Sequence, residues 1–150
     1  MDIRDVAARH LASRMRTCKE MKSYLKKKDF AEEEIREVIA EFIDFRYLDD
    51  EEYCRQYINY ASDKGKGAAR IRQELAEKGV NREVIGFALE DYYDRDQELE
   101  RALYQARKTI SGKPVDEKMK GRVGRRLVSL GYSTDVVYKV IGICMRDNDE

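Results

Sequence analysis

The sequence predicts an all-α protein of three tandem three-helix repeats that form an elongated, curved array. Apolar positions recur with a long, regular period along the chain of 150 residues. Charged residues make up 40 % of the sequence, far above the roughly 25 % of an average globular chain. Hydrophobic residues make up 42 %, and there is only one proline. This composition favours long helices that expose one charged face and bury the other.

The repeat is anchored on three leucines that lie 50 and then 52 residues apart, Leu25, Leu75 and Leu127. The positions four before each anchor, and five, ten and fourteen after it, are also apolar or aromatic. They are Met21, Phe30, Ile35, Ile39, Ile71, Val80, Ile85, Leu89, Val123, Tyr132, Val137 and Ile141. Spacings of this kind are typical of buried helix faces, so each repeat is expected to contain a middle and a third helix.

The ends of the middle helices repeat as well. Asp29, Gly79 and Gly131 each follow an anchor leucine by four positions, where a terminating helix needs a left-handed residue. Asn81 and Ser133 come two positions later and are suitable N-caps for the helix that follows. The pattern therefore predicts a helix, a short link and a helix in each repeat.

A first helix is predicted to precede this pair in every repeat, over about residues 6–13, 49–63 and 98–110. Asp49 with Glu52 resembles a capping box at the start of the second of these helices. Its row of Tyr53, Tyr57 and Tyr60, with Cys54, Ile58 and Ala61 alongside, has helical spacing, which indicates core packing rather than stacking on bases. The resulting repeats span residues 1–46, 47–96 and 97–150, with residues 146–150 expected to fray.

No combination of residues predicts catalysis or a bound cofactor. His10 is the only histidine, and no nucleophile or acid accompanies it in the pattern of a catalytic triad. The glycines around Lys66 lack the spacing of a phosphate-binding loop. Counted from Asp94, the acidic segment has Leu99 where a calcium loop needs glycine and Gln105 where it needs glutamate. We expect a protein that is not an enzyme and carries no cofactor or metal.

The chain has three cysteines, Cys18, Cys54 and Cys144. Their number is odd, and no two of them have the Cys-x-x-Cys spacing of a metal-binding pair. Reduced thiols in the cytoplasm are therefore expected. The N-terminus lacks a signal peptide, and no apolar stretch approaches the roughly 18 residues that span a membrane. We expect a cytoplasmic monomer that does not contact membranes.

Charge is segregated along the chain although 30 basic and 30 acidic residues cancel overall. Residues 1–28 carry a net charge of +6, residues 29–63 carry −9, and residues 101–126 carry +7. The middle helix of each repeat is the basic one, and three such rows could follow a phosphate backbone or an acidic protein groove. A merely solvated basic face remains the alternative. The candidate contact residues are Lys19, Lys22, Lys26, Lys66, Arg70, Arg72, Lys118, Lys120, Arg122, Arg125 and Arg126.

Four segments of the chain resemble the RecX family of recombination regulators. GKGAARIRQELAEKGV at residues 65–80 and YLDDEEY at residues 47–53 resemble the second repeat of that family. KEMKSYLKKK at residues 19–28 is similar to the first repeat, and RVGRRLVSLGY at residues 122–132 to the third. The likeness covers nearly the whole chain, with Asp29 in a place where the family often has glycine.

The resemblance implies a modulator, mainly an inhibitor, of the RecA recombinase. Such a protein would bind in the groove of the RecA filament on single-stranded DNA and limit strand exchange, ATP hydrolysis and co-protease activity. It would thereby take part in DNA repair, homologous recombination and the SOS response. Two other hypotheses stay open: a module that binds single- or double-stranded DNA directly, even if weakly, and a helical-repeat scaffold for an unrelated protein.

Overall fold

The computed structural model describes residues 1–148, which form nine helices and no strand. The bounds are α1 Ile3–Ser13, α2 Cys18–Lys27, α3 Glu32–Asp44, α4 Asp50–Asp63, α5 Ala68–Glu77, α6 Arg82–Tyr92, α7 Glu98–Ile110, α8 Glu117–Leu130 and α9 Thr134–Asn148. The all-α prediction is confirmed. No helix in this described part combines the length and apolar composition needed to cross a membrane.

The fold divides into two compact units. The first unit contains residues 1–57 and 74–88, and the second contains residues 58–73 and the described residues from 89 onward. In the first unit, α1 and α3 both pack on α2 around a core of Ile3, Ala7, Met21, Leu25, Ile35, Val38, Phe42 and Leu48. In the second unit, α7, α8 and α9 contact one another around a core of Ala102, Leu103, Ala106, Met119, Val123, Leu127, Leu130, Tyr132, Val137, Val140 and Cys144.

The repeat positions form the interior, as the sequence predicted. All three anchor leucines have no exposed surface, and the residues four positions before them are at most 1 % exposed. Among the other repeat positions, Phe30, Ile39 and Ile141 are half-buried, and the rest are buried. The buried residues of α2, α5 and α8 therefore lie at equivalent places in the three repeats.

The predicted ends of the middle helices are also confirmed. Asp29, Gly79 and Gly131 have φ angles of 67°, 91° and 100°, all in the left-handed region. The Asn81 side chain accepts a hydrogen bond from the Glu83 backbone N–H at 2.8 Å, which caps α6. Ser133 caps α9 in the same way, because its Oγ accepts from the Val136 N–H at 3.3 Å.

Three expectations need correction. Helix α1 begins at Ile3 rather than near residue 6, because Ile3 and Ala7 are four apart and both enter the core. Tyr60 is 57 % exposed and does not belong to the core. Tyr53 in the same row is buried and Tyr57 is half-buried, and the neighbouring row of Cys54, Ile58 and Ala61 has no exposed surface. Helix α9 continues to Asn148 instead of fraying from residue 146, and residues 149–150 lie outside the described residues.

A capping box opens α2 and also connects this helix to α5. Thr17 Oγ1 accepts a hydrogen bond from the Glu20 N–H at 3.1 Å, and Glu20 Oε1 accepts from the Thr17 N–H at 2.9 Å. The Thr17 hydroxyl donates its own proton to the Lys78 carbonyl at 2.7 Å. Thr17 is fully buried, so water cannot replace these partners when the hydroxyl is removed.

We expect Thr17→Ala to lower the free energy of unfolding by about 1–3 kcal/mol, because it removes a helix cap and leaves the Lys78 carbonyl without its donor. Urea denaturation followed by circular dichroism measures the loss. Thr17→Ser is the matched control, since it keeps the hydroxyl. Equal losses in the two variants would show that the hydroxyl contributes nothing and that only the methyl group matters.

Candidate functional site

Helix α8 carries the most accessible group of predicted contact residues. The Asp116 carboxylate caps it by accepting from the Met119 N–H at 2.8 Å. The buried residues of α8 lie on one side of the helix, so the opposite flank faces solvent. The basic residues at 118, 122, 125 and 126 lie along that flank at helical spacing. All four are exposed and form no hydrogen bond or ion pair with another residue of the described chain. They are Lys118, Arg122, Arg125 and Arg126.

Lys120 differs from these four residues. Its ammonium nitrogen lies 2.7 Å from Glu117 Oε1, and its side chain is only 24 % exposed. The ion pair partly offsets its positive charge. The structure therefore sets Lys120 apart from the free basic flank of α8.

The predicted contact residues on α5 and on the link before it also differ from one another in exposure. Arg72 is exposed, whereas Lys66 and Arg70 are half-buried. Arg70 Nη1 donates to the Ser129 carbonyl at 3.1 Å, at the C-terminal end of α8. In the same place, the Gly67 N–H donates to the Leu130 carbonyl at 2.7 Å. Arg70 thus holds the start of α5 to the end of α8, and sequence spacing alone did not indicate that role.

The lysines of α2 have two different environments within the first unit. Lys19 packs its aliphatic carbons on Gly79, where an added Cβ would come within 2.2 Å of the lysine Cδ. Lys22 and Lys26 instead border a groove between α2 and α3. The structure brings these two lysines together and places Lys19 apart from them.

The first unit also contains a polar cleft of about 530 Å³ that the sequence did not predict. His10 stacks on Tyr24 there, with ring centroids 3.6 Å apart. Burial, followed by the charges of Arg16 and Arg14, lowers the pKa of His10 below its ordinary value. The lining residues come from several helices, so no single periodic row could reveal them. They are His10, Arg14, Arg16, Lys19, Glu20, Ser23, Tyr24, Lys27, Tyr57, Glu74, Glu77 and Lys78.

Acidic side chains offset part of the positive charge in this cleft. Arg14 lies 3.1 Å from the Glu20 carboxylate. Although burial raises the pKa of Glu20, hydrogen bonds from Arg14 and the Thr17 backbone lower it below its ordinary value. Tyr57 donates to Glu74 at 2.7 Å. The cleft is therefore a mixed polar surface rather than a strongly basic one.

The three thiols are unsuited to nucleophilic chemistry. Burial and the Asp50 carboxylate raise the pKa of Cys18 to about 12, and burial raises that of Cys54 to about 11. Burial also raises the pKa of Cys144. All three cysteines are free. Residues 1–148 contain no group of three potential ligands placed to hold a metal ion.

Together the fold and these surfaces define a helical-repeat protein with a free basic flank on α8. Two family models match the chain: the first three-helix domain of RecX over residues 4–42 and the second over residues 49–89. The chain belongs to the RecX family of regulatory proteins.

Relatives of known sequence agree with this assignment. The chain is 33 % identical over 133 residues to the regulatory protein RecX of Listeria welshimeri, covering 87 % of this chain and 49 % of that protein. It is 32 % identical over 142 residues to that of Bacillus subtilis, covering 93 % and 54 %. The chain thus spans about half the length of these relatives.

The crystal structure of RecX from Lactobacillus salivarius has the same fold. It superposes with a TM-score of 0.85 at 24 % sequence identity, covering 98 % of this chain and 94 % of that one. This likeness agrees with the predicted three-helix repeats.

Proposed function

We propose that this chain regulates RecA by binding the RecA filament on single-stranded DNA. It would occupy the filament groove and limit strand exchange, ATP hydrolysis and co-protease activity. Membership of the RecX family is the observation that carries the proposal. In this proposal the chain works inside the cell as a monomer, through three repeats at residues 1–46, 47–96 and 97–150.

The proposal assigns filament contact first to the free basic flank of α8. Arg122, Arg125 and Arg126 are exposed and unpaired within the described chain, so their guanidinium groups can meet phosphates or carboxylates without breaking an internal ion pair. Lys118 and Arg72 are also exposed and would add to this contact with the filament. Arg70 and Lys120 contribute less, because each already has a partner within the chain.

Changing Arg122, Arg125 and Arg126 together to glutamate should weaken filament binding at least tenfold, because three attractive charges become repulsive. The thermal melt should stay nearly unchanged, since exposed substitutions typically cost under about 0.5 kcal/mol each. Binding is measured by anisotropy of labelled single-stranded DNA coated with RecA. If phosphates are the partners, the log–log salt slope should shrink by about 0.7 per lost contact. An unchanged slope with weaker binding would indicate RecA side chains instead.

The matched control changes Lys113, Lys139 and Arg146 to glutamate. These three residues are exposed and lie in the same unit, and their replacement alters the net charge by the same amount. The control variant should bind almost like the wild type. If the α8 variant still inhibits strand exchange at the wild-type concentration, or if both variants lose binding equally, the basic flank is only a solvated face.

A further inference from the structure

The groove between α2 and α3 in the first unit combines an apolar floor with a basic rim. It encloses about 310 Å³ and is lined by Lys22, Lys26, Glu32, Ile35, Arg36, Ile39, Ala40 and Ile43. Its volume lies at the lower end of the range for binding pockets. Two of the candidate contact lysines belong to it, which places them beside aliphatic surface rather than on an open helix face.

The floor comes from one face of α3. Ile35 is 2 % exposed and anchors the floor in the core, and Ile39 is half-buried above the same core. Ala40 contributes only a methyl group, and Ile43 leaves 47 % of its surface exposed at the end of the groove. Burial of such aliphatic surface by a partner is favourable in proportion to its area.

The rim carries three basic residues and one acidic residue. Lys22 and Lys26 lie four apart on α2 and therefore on one flank, while Arg36 lies on α3. None of the three has a hydrogen bond or ion pair within the part of the chain that the structure describes. Glu32 is the only acidic lining residue. The rim thus complements a ligand that is apolar along its centre and negative along its edges.

This chemistry favours a protein ligand over nucleic acid. Single-stranded nucleic acids are held mainly by aromatic side chains on which bases stack, and the lining of this groove contains no aromatic residue. An amphipathic helix places apolar anchors three and four residues apart in a groove and leaves its charged flanks at the rim.

We propose that the α2–α3 groove binds an acidic amphipathic helix of a partner protein, with Ile39, Ala40 and Ile43 contacting its apolar face. Lys22, Lys26 and Arg36 pair with carboxylates on its two flanks. The inference does not depend on the RecA proposal, because a helix of this chemistry from any partner would fit.

The test uses amide chemical shifts of the labelled full chain during titration with a synthetic peptide. The peptide is acetylated and amidated, spans about four helical turns, and carries leucines on one face and glutamates on both flanks. The largest shifts should fall on the six residues of the groove named in the proposal. Absence of groove shifts at about 1 mM peptide, a concentration that reveals even millimolar affinity, would overturn the proposal.

Variants of the groove residues test separately whether the apolar floor and the basic rim contribute to peptide binding. Ile43→Gln should weaken peptide binding at least tenfold, whereas Val128→Gln, at a valine that is 61 % exposed on α8, should not alter it. Combined Lys22→Glu, Lys26→Glu and Arg36→Glu substitutions should reverse the preference toward a peptide with lysines in place of glutamates. Oligothymidylate that displaces the acidic peptide from the groove would overturn the proposal in favour of a nucleic-acid site.

Discussion

Replacement of Leu75 by alanine is expected to lower the free energy of unfolding by about 2–5 kcal/mol, from lost burial and the cavity left behind. Leu75 is the anchor residue of α5 and has no exposed surface. Urea denaturation measures the effect, and coincident transitions by circular dichroism and tyrosine fluorescence check that unfolding is two-state.

Arg72→Ala is the control on the same helix, because Arg72 is exposed and its replacement should change stability by no more than about 0.5 kcal/mol. A loss below about 1 kcal/mol for Leu75→Ala would contradict its place in the core. It would also undermine the repeat register, which rests on the three anchor leucines.

A second large effect is expected for Gly131→Ala, at about 2–5 kcal/mol of lost stability from backbone strain and overpacking together. The φ angle of 100° already disfavours any side chain at this position. A Cβ there would also lie 2.5 Å from the Arg70 backbone nitrogen, so the start of α5 would have to move away from the end of α8. The displacement would strain the hydrogen bond that the Ala69 N–H donates to the Gly131 carbonyl at 3.2 Å.

Gly86→Ala is the matched control for this experiment. Gly86 lies within α6, and a Cβ added there meets no atom within 4 Å. Alanine should therefore stabilise the protein by about 0.5–1 kcal/mol, because it reduces the backbone freedom of the unfolded chain. If Gly131→Ala costs less than about 1 kcal/mol, the close approach of α5 and α8 is not rigid.

Much of the fold could be predicted because helix periodicity and helix ends are local properties of the sequence. The anchor leucines, the left-handed ends at Asp29, Gly79 and Gly131, and the N-cap at Asn81 all follow from residues within a few positions of one another. The misplacement of Tyr60 shows the limit of this reasoning. Tyr53 and Tyr60 belong to one row of helical spacing, and only packing decides that Tyr53 is buried while Tyr60 is exposed.

The candidate site was less accessible to sequence reasoning. Charge counting found the basic helices, but it could not separate the free Arg122 from Arg70, whose partner Ser129 is distant in sequence. Nor could it show that Lys22 and Lys26 border an apolar groove, because the floor belongs to α3. Side chains acquire such roles from contacts between elements, and these contacts leave no periodic signal along the chain.

Action of the chain on the RecA filament can be measured by its binding to labelled single-stranded DNA with and without RecA and ATP. Gel shifts and anisotropy at a fixed salt concentration measure both states. The chain should bind RecA-coated DNA at least tenfold more tightly than bare DNA. Equal binding to bare DNA would contradict this expectation and identify a direct DNA-binding module, and failure to bind either form would leave only a scaffold role.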